Sequence, residues 1–296
     1  MPQIIATFFQ FSGPAFWMSL AGLAVLVIGL VAAKNEIAQA RGLKKIVALT
    51  HVCFAVPLAV FGAEHFSLGS LMIGLVPSYM PWRLFWIYFV GVVLIVAALS
   101  IATRIQVRWS GLLFGIMMFL FVAMIHLAIR SSDRIIWTIA IREMSFGGGG
   151  LVLAGMALSQ SRGRGNTLIT VGRVLIAIAA IFFGVQHFLH PLGVPGVPLA
   201  KEMPAWIPAR AVIDYLTGAF LIVGGVFLLT RKRQVAATYL GIWILLLVVC
   251  YYGPMLIGSL ADPSAATKIE GLNYFADTLL FGATILSLAH TRTAAD

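Results

Sequence analysis

The chain is written twice. Residues 55–104 and 177–231 share one skeleton: F-G-x-x-H-F, a Pro-rich stretch, P-x3-P-x-R, then a long apolar run closing on Thr-Arg. His65 falls on His187, Pro77 on Pro204, Pro81 on Pro208, Arg83 on Arg210, Tyr88 on Tyr215 and Gly91 on Gly218. A repeat of this length constrains the fold to two copies of one unit before any single residue is interpreted. It also acts as an internal control. Features kept in both copies belong to the scaffold, and features that break the symmetry are candidates for a specific site.

The copies consist of apolar spans. Apolar residues make up 61 % of the 296-residue chain and charged residues 10 %, and the mean hydropathy is +1.01. A soluble domain of this size needs more polar surface than that. Nine apolar spans are legible, near 15–33, 45–64, 82–103, 110–129, 135–158, 167–188, 209–230, 236–259 and 271–290. Each approaches the roughly 20 residues that cross the hydrocarbon of a bilayer as a helix. Lipid offers no partner to backbone N–H and C=O groups, so the spans must be helices; the alternation of a membrane barrel is absent. The expected fold is an all-α polytopic transmembrane bundle of nine helices.

The net charge of +10 does not point to nucleic acid, because the cations are confined to alternate loops. Lys34, Arg41, Lys44 and Lys45 share one loop; Arg104 and Arg108, then Arg162, Arg164 and Arg173, then Arg231, Lys232 and Arg233 follow. This positive-inside pattern predicts a multi-pass protein of the bacterial inner membrane, N-terminus outside and C-terminus in the cytoplasm. No Lys or Arg precedes the first apolar run, so it reads as a retained helix and not as a cleaved signal. Cys53 and Cys250 form no C-x-x-C pair, which argues against dithiol exchange; both read as small buried hydrophobes.

Residues 1–44 are an extra helix and basic loop, 45–160 the first four-helix repeat and 161–296 the second. Four is an even number of crossings, so the halves enter from one side and the repeat is parallel. A polar, Gly-rich join at 159–167 separates them. Pro81 and Pro208 are expected to open spans three and seven, since Pro suits a first helical turn. The Pro-rich loops ahead of them, with Tyr79, Trp82 and Trp206, read as interfacial belts or as a lid.

Ionisable groups inside a bilayer are costly and mark candidate sites. Asp214 and Asp277 lie about 8 Å inside spans seven and nine at helical rise. Glu64, His65 and His187 end spans two and six, and Glu143 lies within span five. These groups crowd the extracytoplasmic half, so a polar cavity is expected there. Both repeats carry the His, Arg and Tyr, whereas the acids are unmatched: Glu64 faces Gln186, Ile87 faces Asp214, Glu143 faces Asn273 and Gly147 faces Asp277. Asn273 and Asp277 share a helix face. Arg142 and Glu143, adjacent in sequence, are expected to point apart toward partners on other spans. His51 and His65 have the spacing of a di-haem span, but His51 aligns with Arg173, and haem and other metals are not expected.

The F-G-x-x-H-F / P-x3-P / Y-x-x-G / T-R pattern resembles the DoxX-like family of bacterial membrane proteins, with two such units in tandem over residues 45–292. The resemblance implies four-helix units and a link to redox biochemistry through a thiosulfate:quinone oxidoreductase subunit. Together these features point to a membrane-embedded binder of a lipophilic small molecule, a quinone or an isoprenoid lipid, associated with lipids and with another membrane subunit. His65, His187, Tyr88 and Tyr215 are the candidate donors, with Arg83, Arg210, Glu143 and Asn273 around them. The alternatives are an enzyme doing acid–base chemistry on a lipid, with Asp214, Asp277 and Glu64 as catalytic groups, and a transporter or structural partner.

Overall fold

The structure, a computed structural model, describes residues 13–129, 131–162 and 165–291. Nine long helices run through these residues where the apolar spans predict them. They are α1 Pro14–Gln39, α2 Thr50–Leu68, α3 Arg83–Thr103, α4 Val107–His126, α5 Arg134–Arg162, α6 Asn166–Leu189, α7 Arg210–Leu228, α8 Arg233–Ala261 and α9 Ala265–His290. No β-strand occurs among the described residues. Eight of the helices are long and apolar enough to cross a membrane, and the chain is an integral, multi-pass membrane protein. Residues 163 and 164 of the predicted join, and Arg292, lie outside the described residues.

α5 is the exception in hydropathy. It is 29 residues long but carries Arg142, Glu143 and the Gly147–Gly150 run. Residues 145–155 are all buried inside the protein, so this helix presents little surface to lipid and can be less apolar. The glycines serve contact on two faces. A Cβ at Gly150 would lie 2.6 Å from the carbonyl oxygen of Gly111 on α4, and one at Gly148 would lie 2.9 Å from that of Gly172 on α6. Small residues let membrane helices approach to backbone contact, where dispersion and weak polar contacts hold them.

The prolines before α3 and α7 act differently from expectation. The helices begin at Arg83 and Arg210, and Pro81 and Pro208 precede the caps. The caps, Trp82 and Ala209, both sit at φ 51° in the left-handed region. Each proline fixes its own φ, and the following residue makes the sharp turn into the helix. The same strained step occurs in both repeats. Both repeats also place a π segment in their third helix, Val122–His126 within α4 and Val248–Tyr252 within α8.

The chain divides into two compact units. One comprises residues 1–106 and 245–280, the other 107–244 and 281–296. In the first, α2 packs against both α1 and α3, around a core that includes Met18, Val60, Ala63, Leu272 and Ala276. In the second, α4, α5, α6 and α7 pack in chain order, and Phe183 meets Phe281 edge-on at 5.2 Å.

Candidate functional site

The F-G-x-x-H-F motif forms a helix crossing in each unit. In the second, Gly184 of α6 faces Gly218 of α7: a Cβ at Gly184 would lie 2.8 Å from the Gly218 carbonyl oxygen. In the first, a Cβ at Gly62 would lie 3.1 Å from the carbonyl oxygen of Gly91. The motif phenylalanine stacks on the shared tyrosine in both, Phe66 on Tyr88 at 6.0 Å and Phe188 on Tyr215 at 5.6 Å. Tyr88 and Tyr215 are 39 % and 42 % exposed. They occupy the outward side of the crossing as scaffold.

The close approach decides what each histidine meets. His65 turns its Nδ1 back to the Phe61 carbonyl oxygen of its own helix, at 2.8 Å. The opposing position one turn before Gly91 is Ile87, which is buried and has nothing to offer a ring nitrogen. In the second unit that position is Asp214. His187 Nδ1 lies 2.9 Å from Asp214 Oδ1, and both side chains are fully buried. One apolar-to-acid difference between the repeats thus converts a self-satisfied histidine into an interhelical dyad.

The other face of the ring is covered by backbone. The loop joining α6 to α7 folds back as a small hairpin. Gly193 bridges Glu202, Val194 N–H donates to the Lys201 carbonyl at 3.1 Å, and Met203 N–H donates to the Leu192 carbonyl at 2.9 Å. Its tip, residues 194–198, is buried throughout. Gly196 at the tip takes φ 100°, which suits glycine alone. Its N–H donates to His187 Nε2 at 3.0 Å. Two arginines clamp the hairpin, Arg134 to the Pro198 carbonyl at 2.9 Å and Arg210 to the Met203 carbonyl at 3.0 Å. The matching loop of the first repeat is unlike it. It forms a short 3₁₀ turn, Leu71–Leu75, with Leu71, Tyr79 and Trp82 70–80 % exposed.

These contacts assign the tautomer. An N–H aimed at Nε2 requires a lone pair there, so the ring proton sits on Nδ1, the nitrogen on the Asp214 side. His187 is enclosed between an acid on one side and a backbone amide on the other.

The second unit also sets a histidine beside an acid between α4 and α5. Glu143 Oε2 of α5 lies 3.0 Å from His126 Nε2, at the π segment of α4. Glu143 therefore finds its partner on another span, as expected. Arg142 does not turn wholly away from it, since Nη2 comes within 4.0 Å of Glu143 Oε1. A flexible four-bond side chain bridges the angle between adjacent positions.

In the first unit, Asn273 Nδ2 of α9 donates to Glu64 Oε1 of α2 at 2.7 Å. Asp277, one turn along the same face, is also buried. Arg83 is exposed at the start of α3. Nearby, α1, α2 and α3 enclose an open apolar groove of about 620 Å³, lined by Trp17, Leu20, Ala63, Phe66 and Ser67 among others. Cys53 is half-buried and Cys250 exposed, so neither takes the fully buried position expected of it. Among the described residues, no three His, Cys, Asp or Glu side chains gather as metal ligands would.

Two site elements are invisible to a reading of side chains. The Gly196 amide is backbone, and its only trace is a glycine between two prolines. Arg134 stands at the start of α5, and nothing in the sequence marks it as a clamp, because its partner is a carbonyl 64 residues away. Comparison of the chain with protein-family models, with known proteins and with solved structures finds no match.

Proposed function

We propose that this chain binds a lipophilic small molecule with a polar head, a quinone or an isoprenoid lipid, and serves as a redox-associated membrane subunit of DoxX-like type. The His187–Asp214 dyad beneath the Gly196 hairpin carries this reading. A fully buried acid–histidine pair inside a membrane-spanning unit is costly to build. The first repeat folds the same crossing with Ile87 and a self-bonded His65, so the crossing itself does not require an acid. An imidazole held between an acid and a backbone amide at the end of an apolar helix pair suits a ligand whose tail stays in lipid and whose head needs one hydrogen bond. The hydroxyl of a quinol, the reduced form of a quinone, or of an isoprenol can donate to Nε2 of that ring. The arrangement of basic loops supports an inner-membrane protein, N-terminus outside, with the dyad near the extracytoplasmic surface.

A second reading, acid–base chemistry on a lipid, is favoured by the same orientation, because an imidazole with its Nδ1–H on a carboxylate presents Nε2 as a base. Glu64 and Asp277 would then be further acids.

Purification in mild detergent followed by mass spectrometry of the bound lipids tests the proposal. The wild-type protein is expected to retain a quinone or isoprenoid species. His187→Ala, and His187→Gln, which keeps a donor toward Asp214, are expected to lose it while still inserting. Full retention by both variants would overturn the assignment. Lipid turnover by the wild type, lost in His187→Gln, would favour the enzyme.

A further inference from the structure

We infer that the site selects hydroxyl-bearing heads, such as a hydroquinone or an isoprenol, over carbonyl-bearing heads such as a quinone. The Gly196 N–H holds the place that the ligand hydroxyl takes. The inference rests on the ligand-binding reading above and narrows its substrate class.

His187 is held in one tautomer from one side. The Gly196 N–H at 3.0 Å needs a lone pair on Nε2, so the ring proton sits on Nδ1, the nitrogen 2.9 Å from Asp214 Oδ1. Nε2 is the acceptor of the Gly196 N–H. The Gly196 carbonyl, which would accept from an Nε2–H, is farther at 3.4 Å. A ligand that reaches the ring must replace the amide as a donor. A hydroxyl does so. A quinone carbonyl would set lone pair against lone pair in a fully buried place, and sites built around a donor–acceptor match reject the mismatched analogue strongly.

The hairpin is suited to that exchange. The amide contact to the ring is made by the tip, and arginines hold the hairpin at Pro198 and Met203. Displacement of the Gly196 amide from the ring uncovers Nε2. The hydroxyl then satisfies the buried acceptor that the amide leaves.

The tautomer itself can be reversed. In Asp214→Asn the amide can donate to Nδ1, which moves the ring proton to Nε2 and turns that atom into a donor. An oriented histidine that loses its carboxylate is known to adopt the wrong tautomer in this way. The nearby Gly196 carbonyl could accept from it, so the variant has a route to a satisfied fold.

The experiment measures binding of decyl-ubiquinol, kept reduced under anaerobic conditions, and of decyl-ubiquinone to the full-length protein in detergent, with thermal unfolding confirming that each variant is folded. The wild type is expected to prefer the quinol by about tenfold or more, the weight of one buried mismatched contact. Asp214→Asn is expected to lose that preference or to favour the quinone. Equal binding of the two forms by the wild type, or a wild-type preference for the quinone, overturns this inference and leaves the broader reading standing. A preference for quinol that persists unchanged in folded Asp214→Asn also overturns it. Binding of neither form, together with no co-purifying lipid, overturns both.

Discussion

Replacing Asp214 by Ile copies the first repeat into the second, and its effect can be worked from the two crossings. The acid is lost, and His187 must find another acceptor for its Nδ1–H. His65 shows the route, because its Nδ1 bonds the carbonyl four residues back at 2.8 Å with Ile87 alongside. The equivalent carbonyl for His187 is that of Phe183, on the same helix. Ring rotation would cost the Gly196 contact, a neutral hydrogen bond worth about 1 kcal/mol net. Asp214→Ile is therefore expected to destabilise by about 1 kcal/mol or less once burial of the new side chain is included. His187→Ala is the opposite case. It strands Asp214, fully buried, with no imidazole beside it, and breaking a buried pair from one side costs about 3–5 kcal/mol. His187→Ala combined with Asp214→Ile removes the stranded charge and should recover most of that loss. Thermal unfolding in detergent, read as differences in melting temperature across the four proteins, measures the cycle. Equal destabilisation by Asp214→Ile and His187→Ala, or no recovery in the double variant, would refute the reasoning, because the pair would then not be separable into an acid that needs its histidine and a histidine that does not need its acid.

At the helix crossing, any Cβ at Gly184 meets the Gly218 carbonyl at 2.8 Å and Ile222 Cγ1 at 2.6 Å; Gly184→Ala is expected to cost about 1–3 kcal/mol by overpacking and to weaken lipid retention, checked by melting temperature and mass spectrometry. In the first unit, Asn273→Leu removes the donor to Glu64 and is expected to destabilise by about 1–3 kcal/mol, whereas Glu64→Gln, which installs the residue of the other repeat, should stay within about 1 kcal/mol in the same assay. For topology, a reporter active only in the periplasm should be silent when fused to the C-terminus; activity there would reverse the orientation read from the basic loops.

The nine spans were legible because apolar length and loop charge are local properties, and a bilayer selects on both. The helix limits follow the apolar runs closely, and α5 was recognisable despite its polar residues and glycines. The repeat also singled out the asymmetry that matters, Asp214 against Ile87, without any coordinates. Tertiary structure decided the rest. His187 and Asp214 lie on different helices, and their contact depends on how closely Gly184 and Gly218 let the backbones approach, a distance that neither residue encodes alone. Glu64 likewise met Asn273, 209 residues away, where composition could only say that each needed a partner. The two Pro-rich loops read alike in sequence, yet one lies exposed and the other buries its tip on the histidine, because two arginines and a glycine turn hold it there. Side-chain patterns show which residues prefer to be buried. They do not show which backbone amide will satisfy a buried ring nitrogen, since every residue but proline carries the same N–H and only the folded path of the chain selects one.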